Sequence, residues 1–359
     1  MLRCWLRGAI LVALALAPAG LACSGQIADK DSRLRFLGHL PGVPDGPPTV
    51  TRFTSTTQGW AWVRGTARLW ATEDAGATWR NVALPTAAEG VSYLIDVFAK
   101  SSKEFVIWLD QSLLRTLDGG EHWISLALPS SPQSLSALAF QGDQGLAALG
   151  HDFTIRDGFR RQRIYSTTDW GTTWQLRWDG RTDFGPQHRT LIKRIQFAGA
   201  SHGVALGDQM VLVTRDVGRT WRPGRFQPDG AAGENGRENA QVFLLNSSTG
   251  WLLERTGGLF QTADGGKNWS KILDAGGEWV SGGPSAPGGG LVPPDLYFDS
   301  ETHGWLVGND SGLYESSDGG RHWSRLRGDG FMQLDCSPAA GCMVSTFDHM
   351  LYGLVSGQR

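Results

Sequence analysis

Thr262–Trp269 reads TADGGKNW, and the same octet pattern returns five more times along the chain. The other copies are TEDAGATW (Thr72–Trp79), TLDGGEHW (Thr116–Trp123), TTDWGTTW (Thr167–Trp174), TRDVGRTW (Thr214–Trp221) and SSDGGRHW (Ser316–Trp323). Their starts lie 44, 51, 47, 48 and 54 residues apart. A recurrence of this size marks a repeat array, and about forty to fifty residues is one four-stranded propeller blade. The chemistry of the octet suits a turn. A short aspartate side chain caps the backbone N–H groups that follow it, and the glycine two positions on accepts a positive φ. The tryptophan opens the next strand, where its ring packs over a neighbouring strand or blade. Six copies of one loop cannot all be the active site of one chain, so Asp74, Asp118, Asp169, Asp216, Asp264 and Asp318 are assigned to holding turns.

A second signal precedes the octets. QGWAWV ends at Val63, and TGWLLE (Thr249–Glu254), HGWLVG (His303–Gly308) and HGVALG (His202–Gly207) follow later. From the glycine to the octet aspartate the spacing is 15, 14, 14 and 13 residues for Gly59, Gly250, Gly304 and Gly203. That constancy predicts a strand A, a polar turn, a strand B carrying the GW pair, a strand C, the octet turn and a strand D. After Trp323, FMQLDCS, GCMVSTF and MLYGLV form three further strand-like runs without a fourth. RLRFLGHL (Arg33–Leu40) is an orphan strand that supplies it, since joining first and last segments in one sheet closes a ring and removes its edges. The fold expected is all-β: a seven-bladed β-propeller of four-stranded antiparallel blades spanning residues 33–359, closed by the N-terminal strand in the last blade.

Composition agrees. The 359 residues are 40% hydrophobic with a net charge of −2, and 49 Gly and 16 Trp suit many short strands joined by tight turns. A near-zero balance gives no argument for nucleic acid. Arg3 and Arg7 precede the apolar run Ala9–Ala17, which reads as a secretory signal over residues 1–22, with 23–32 as a linker. GLACS resembles a bacterial lipobox with Cys23 as the lipid acceptor, although its leucine stands two residues before the cysteine instead of three. The alternative is cleavage after Ala22 and a soluble periplasmic protein. Cys336 and Cys342 flank SPAAG, a turn able to join two strand ends. In an oxidising compartment they form a disulfide; the alternative is two free thiols.

S/T-x-D-x-G-x-x-W resembles the Asp-box, or BNR repeat, of sialidases, xyloglucanases and sortilin-type receptors. Coupled to the upstream GW strand it is most similar to the photosystem II stability/assembly-factor-like (YCF48-type) propellers, including their relatives in bacteria without photosystems. The resemblance covers nearly all of the chain after the leader and implies a non-enzymatic, exported, monomeric propeller that binds a protein partner in the cell envelope, without a cofactor, and assists assembly or stability of a complex. The alternative it leaves is a carbohydrate-active enzyme or glycan-binding propeller, sialidase- or glycosidase-like. A sialidase needs an Arg triad and a Tyr nucleophile with a Glu partner, its first Arg lying in a Phe-Arg-Ile/Leu-Pro motif. The nearest string here, FRRQ at Phe159, lacks the proline. Tyr165, Tyr314 and Tyr352 fall in expected C strands, and Tyr93 and Tyr297 have no evident Glu partner. Another glycosidase needs two carboxylates facing a cleft; loop candidates are Asp110, Asp157, Asp183, Asp208, Glu278, Asp310 and Asp348, for which solvated loop acids are the plainer account.

The strongest irregularity lies in blades three and four. HDFTIRDGFRRQRI (His151–Ile164) separates strands B and C of blade three and carries Arg156, Arg160, Arg161 and Arg163. The next connection, DGRTDFGPQHRTLIKRI, adds Arg181, His188, Arg189, Lys193 and Arg194. If both extend from the same face, these residues form a candidate partner-binding patch, since clustered arginine suits carboxylates, phosphates or an acidic protein surface; the alternative is a solvated Arg-rich loop balanced by Asp152, Asp157 and Asp183.

Overall fold

The computed structural model describes residues 33–42, 49–63, 66–85, 94–110, 112–129, 133–151, 162–180, 192–207, 210–225, 241–254, 257–274, 294–308, 311–328 and 330–355. Strand β1 (Leu34–His39) stands apart in sequence from the first blade, which is β2 (Thr49–Phe53), β3 (Gly59–Val63), β4 (Leu69–Thr72) and β5 (Arg80–Val82). Blade two is β6 (Leu94–Ala99), β7 (Phe105–Leu109), β8 (Ser112–Thr116) and β9 (Ile124–Leu126). Blade three is β10 (Gln133–Gln141), β11 (Gln144–His151), β12 (Gln162–Thr167) and β13 (Gln175–Asp179). Blade four is β14 (Ile192–Ala198), β15 (His202–Gly207), β16 (Val211–Thr214) and β17 (Arg222–Pro223). Blade five is β18 (Gln241–Leu244), β19 (Gly250–Leu253), β20 (Leu259–Thr262) and β21 (Ser270–Leu273). Blade six is β22 (Asp295–Phe298), β23 (Gly304–Val307), β24 (Leu313–Ser316) and β25 (Ser324–Arg327). The last sheet has the order β1–β28–β27–β26, built from β26 (Phe331–Ser337), β27 (Gly341–Thr346), β28 (Met350–Leu354) and the N-terminal strand. The expected fold is therefore the observed one, including ring closure: Leu34 faces Leu354 and His39 faces Met350 in an antiparallel ladder.

The GW strands form the packed layer. Every residue of β3 is buried, as is every residue of β7, β19 and β23, so these strands are covered by neighbouring blades on both flanks. The apolar core is accordingly not one mass but a series of layers between consecutive blades. Trp60, Trp62 and Val82 of blade one pack with Leu94, Val97, Phe105 and Ile107 of blade two. Trp251 of blade five lies flat on Phe298 of blade six, with ring centroids 3.7 Å apart, and its Nε1 donates to the Gly319 carbonyl at 2.9 Å.

Each octet folds around its first and third residues. In blade five, Thr262 Oγ1 donates to Asp264 Oδ1 at 3.0 Å and accepts the Gly266 N–H at 2.9 Å. Asp264 in turn accepts the Asn268 N–H at 2.9 Å and the Asn268 amide side chain at 2.6 Å. Ser316 does the same work in blade six, donating to Asp318 and accepting Gly320 N–H. Burial of Asp264 opposes ionisation, but the hydrogen bonds from Asn268 and Thr262 outweigh it and hold the carboxyl below its ordinary range. At Asp74 the Thr78 hydroxyl and amide, with Thr72, have the same effect. Two successive residues take positive φ, not one: Gly76 has φ 88° and Ala75 before it 61°, while Trp170 and Val217 hold the same place at 53° and 60°. The octet tryptophan then closes over its own blade, as Trp123 does edge-on to Phe105 at 5.6 Å and Trp323 to Phe298 at 5.9 Å.

Candidate functional site

The seven first strands, β2, β6, β10, β14, β18, β22 and β26, surround a central channel of about 900 Å³. Charged residues on its wall are Arg52, Asp96, Lys193, Arg194, Asp295 and Asp335, with Phe98, Phe243 and Tyr297 among the aromatic ones.

Much of the polar wall stitches one blade to the next. Arg52 Nη2 of blade one donates to both oxygens of Asp96 in blade two, at 2.9 and 3.1 Å. Gln196 of blade four accepts the Leu244 N–H of blade five at 2.9 Å. Gln241 Nε2 donates to Asp295 Oδ1 at 2.6 Å, joining blades five and six, and Asp295 Oδ2 accepts the Leu334 N–H of blade seven at 3.1 Å. The ring seam receives three such bonds: Gln333 Oε1 accepts Thr51 N–H at 3.0 Å, Gln333 Nε2 donates to Thr51 O at 3.2 Å, and Asp335 Oδ2 accepts Phe53 N–H at 2.6 Å. Asp335 is 7% exposed. Burial raises its pKa to about 7; Asp295 and Asp96 add to the rise, and Arg52 and the Phe53 N–H oppose it without overcoming it.

Beside Asp335, Cys336 and Cys342 are direct register partners on β26 and β27 and form a disulfide, with Cα atoms 4.1 Å apart. It staples the hairpin of the closing blade. Of the candidate binding patch, Arg156, Arg160, Arg161, Arg181, His188 and Arg189 lie outside the described residues. Arg163 lies on β12, and its Nε donates to Asp179 Oδ2 of β13 at 3.2 Å. Lys193 and Arg194 are not in the connection where the sequence placed them: both belong to inner strand β14 and line the channel. Antiparallel order sends the β11–β12 and β13–β14 connections out of the same end of blade three, the end opposite its octet turn.

Among the loop carboxylates, Asp110 is described with φ 42° and its carbonyl accepts Trp108 Nε1 at 2.7 Å, and Asp348 sits in the β27–β28 turn. Asp157, Asp183, Asp208, Glu278 and Asp310 lie outside the described residues. Tyr165, Tyr314 and Tyr352 are buried on third strands, and Tyr297 is on the channel wall. Tyr93, Cys23 and the leader are outside the described residues. Asp118, Glu121 and His122 bring three ligand-type atoms within 4.8 Å of one another at an octet. Blade six keeps the same Asp318–His322 contact with Arg321 in the glutamate's place, so the trio follows from the turn. The sequence reading missed Arg52, Asp96, Gln241, Asp295 and Asp335. Their only trace is a polar residue inside an otherwise apolar first strand, as in LIDVFA.

Six octet turns on four-stranded blades, in a ring closed by a terminal strand, define a seven-bladed Asp-box propeller. The family model described as "Sortilin, neurotensin receptor 3" matches residues 67–185. The photosystem II assembly protein Ycf48 of Synechococcus is 25% identical over 317 residues, covering 86% of this chain and 82% of that protein. The chloroplastic photosystem II stability/assembly factor HCF136 of Arabidopsis thaliana is 25% identical, over 71% of this chain and 61% of its own length. A probable oligoxyloglucan-reducing end-specific xyloglucanase of Neosartorya fischeri is 27% identical over 48% of this chain. The chain spans only 23% of that enzyme. The solved structure titled YCF48 bound to D1 peptide superposes with a TM-score of 0.62 at 19% identity, covering 91% of this chain and 96% of the other. The chain is a Ycf48-like seven-bladed propeller.

Proposed function

We propose that this chain is a non-catalytic, exported binding scaffold whose rigid ring presents the long connections of blade three to a protein partner in the cell envelope, assisting assembly or stability of a complex. The observation that carries it is the two-way coverage of the Ycf48 match, 86% of this chain and 82% of that protein, which leaves both propellers with nearly the same outline. The octet geometry supports it, because the six repeated aspartates are consumed by their own turns. Residues 1–22 act as the export signal, and Cys23 serves as a lipid anchor to the membrane surface. The partner surface is the basic group Arg156, Arg160, Arg161, Arg163, Arg181, His188 and Arg189, continued into the channel mouth by Lys193 and Arg194. Arginine-rich connections on a rigid frame suit an acidic segment, with bidentate carboxylate contacts giving the specificity.

Co-purification tests this. The tagged protein from mildly solubilised envelopes retains a stoichiometric partner, and a variant with Arg160, Arg161, Arg189 and Arg194 changed to Glu loses it while keeping its circular dichroism. Retention by the variant, or no partner for the unmodified protein, overturns the proposal. A second reading, glycoside hydrolase, is favoured by the xyloglucanase match and by three carboxylates in one channel. Its test is release of reducing sugar from xyloglucan oligosaccharides. The scaffold reading expects none; turnover abolished in the Asp295→Asn and Asp335→Asn variants would replace it.

A further inference from the structure

The channel is electrically divided. Lys193 and Arg194 stand on the wall at blade four, whereas Asp295, Asp335 and Asp96 belong to blades six, seven and two, with Arg52 of blade one among them. Asp96 is committed to Arg52 through both oxygens. Asp295 and Asp335 accept hydrogen bonds from neutral donors, Gln241 and the Leu334 N–H for one and the Phe53 N–H for the other, and feel the Arg52 charge only through space.

A second observation points to what is wanted there. Gln241 is 7% exposed, lines the same channel, and gives its Nε2 to Asp295. That bond fixes the amide orientation and leaves Oε1 as the free acceptor, and Oε1 is buried without a donor. A buried amide acceptor beside two carboxylates is a site short of donors and of positive charge. Phe243 and Tyr297, with ring centroids 4.9 Å apart, stand on the strands that carry Gln241 and Asp295, and aromatic faces attract organic cations. A metal ion fits less well. Among the described residues the one trio of carboxylate, histidine or cysteine atoms within 4.8 Å of one another is Asp118, Glu121 and His122, away from the channel acids.

We infer that the acidic side of the channel, formed by Asp295, Asp335 and the Gln241 carbonyl, is a binding site for an organic ammonium group. The ammonium donates to the unpaired Gln241 oxygen and to the two carboxylates, and its carbon chain lies against Phe243 and Tyr297. This does not rest on the scaffold proposal, whose surface is the basic group of blades three and four. Binding also has a pH signature. Asp335 faces Arg52 on β2, Asp96 on β6 and Asp295 on β22, and it titrates near neutrality. A cation favours its ionised form, so affinity increases as pH rises from about 6 to 8, by up to about tenfold, while the amine itself stays charged.

The test is calorimetric titration of the folded propeller with cadaverine and with N-acetyl-lysine amide, against n-butanol as the uncharged shape and calcium chloride as the inorganic cation. Saturable binding of an amine, strengthening with pH and absent for butanol and calcium, is expected. If both amines bind, a free amine suffices; if only the lysine derivative binds, the ammonium arrives on a chain. Asp335→Asn keeps an acceptor for the Phe53 N–H, so it folds, and it abolishes the pH dependence while weakening binding about tenfold. Gln241→Leu, which removes the unpaired oxygen, weakens binding as well. No saturable heat for either amine up to about 10 mM, the weak limit for so few atoms, overturns the inference. Equal binding of butanol, or binding of calcium instead, does so too.

Discussion

Replacing Thr262 by valine distinguishes the two halves of the octet. The hydroxyl of Thr262 is buried, 1% exposed, and accepts the Gly266 N–H at 2.9 Å in a turn where Gly266 has φ 87°. Valine keeps the shape and removes the acceptor, so a buried N–H is left unpaired at about 1–3 kcal/mol, and Asp264 loses one of its hydrogen bonds. The expected loss is about 2–3 kcal/mol. Asp264→Ala removes the contacts to Asn268, but these lie at the exposed rim, where water replaces the carboxylate, so its loss is nearer 1 kcal/mol, as for a helix cap.

The assay is urea unfolding of the isolated propeller followed by tryptophan fluorescence, comparing midpoints at unchanged slope. Thr262→Ser is the internal control, because Ser316 already fills the same place in blade six with the same two bonds. That variant loses only the buried methyl, about 0.8 kcal/mol. The order expected is therefore valine worst, with alanine at 264 and serine at 262 both milder. If Asp264→Ala proves the more damaging, or if serine is no better than valine at 262, the octet is held by its carboxylate and the buried-hydroxyl account is wrong.

Two further outcomes follow from the ring seam. Reduction of Cys336–Cys342, or its double serine variant, lowers stability by about 2 kcal/mol, the entropy of so short a loop. Its urea midpoint shifts while far-ultraviolet dichroism stays that of a propeller, since the β26–β27 ladder persists on both sides of the cysteines. Asp335→Asn has a sign that depends on pH. The folded carboxyl titrates at about 7, above its ordinary value of 3.8, so the fold binds the extra proton in that window and loses stability as pH rises through it. Asparagine still accepts the Phe53 N–H and carries no charge, so the variant exceeds the parent in stability near pH 8 and the advantage vanishes near pH 4. An advantage that is the same at both pH values would mean that Asp335 is not the titrating group.

The blades were legible because each octet holds its chemistry within eight contiguous residues, and hydroxyl, carboxylate and glycine find each other without help from the rest of the chain. Ring closure was legible for a related reason. Three strands after blade six and one orphan before Thr49 leave a single way to complete a fourth-strand edge. What local pattern could not show was that the residue after the octet aspartate is left-handed even when it is alanine, tryptophan or valine. None of those side chains announces such a backbone; the bonds of the following glycine and the upstream hydroxyl impose it.

The channel was illegible for a different reason, and one that says how the ring holds. Asp96, Asp295 and Asp335 come from strands far apart in sequence, each the lone acid in its run, as in DLYF or FMQLDCS, and only the order of the blades brings them to one axis. A lone acid in an apolar strand reads as an imperfection until its neighbour across the blade boundary is known. Here that neighbour is a backbone N–H or a guanidinium of an adjacent blade. At the closing seam the two levels meet: Gln333 and Asp335 bind blade one at the axis, and β1 joins blade seven at its outer edge. An opening motion that breaks the inner bonds leaves the outer ladder intact, and one that peels β1 leaves the inner bonds intact. The ring therefore opens only when both fail together, which is why its innermost polar residues, invisible to local pattern, belong to the fold as much as the six octets do.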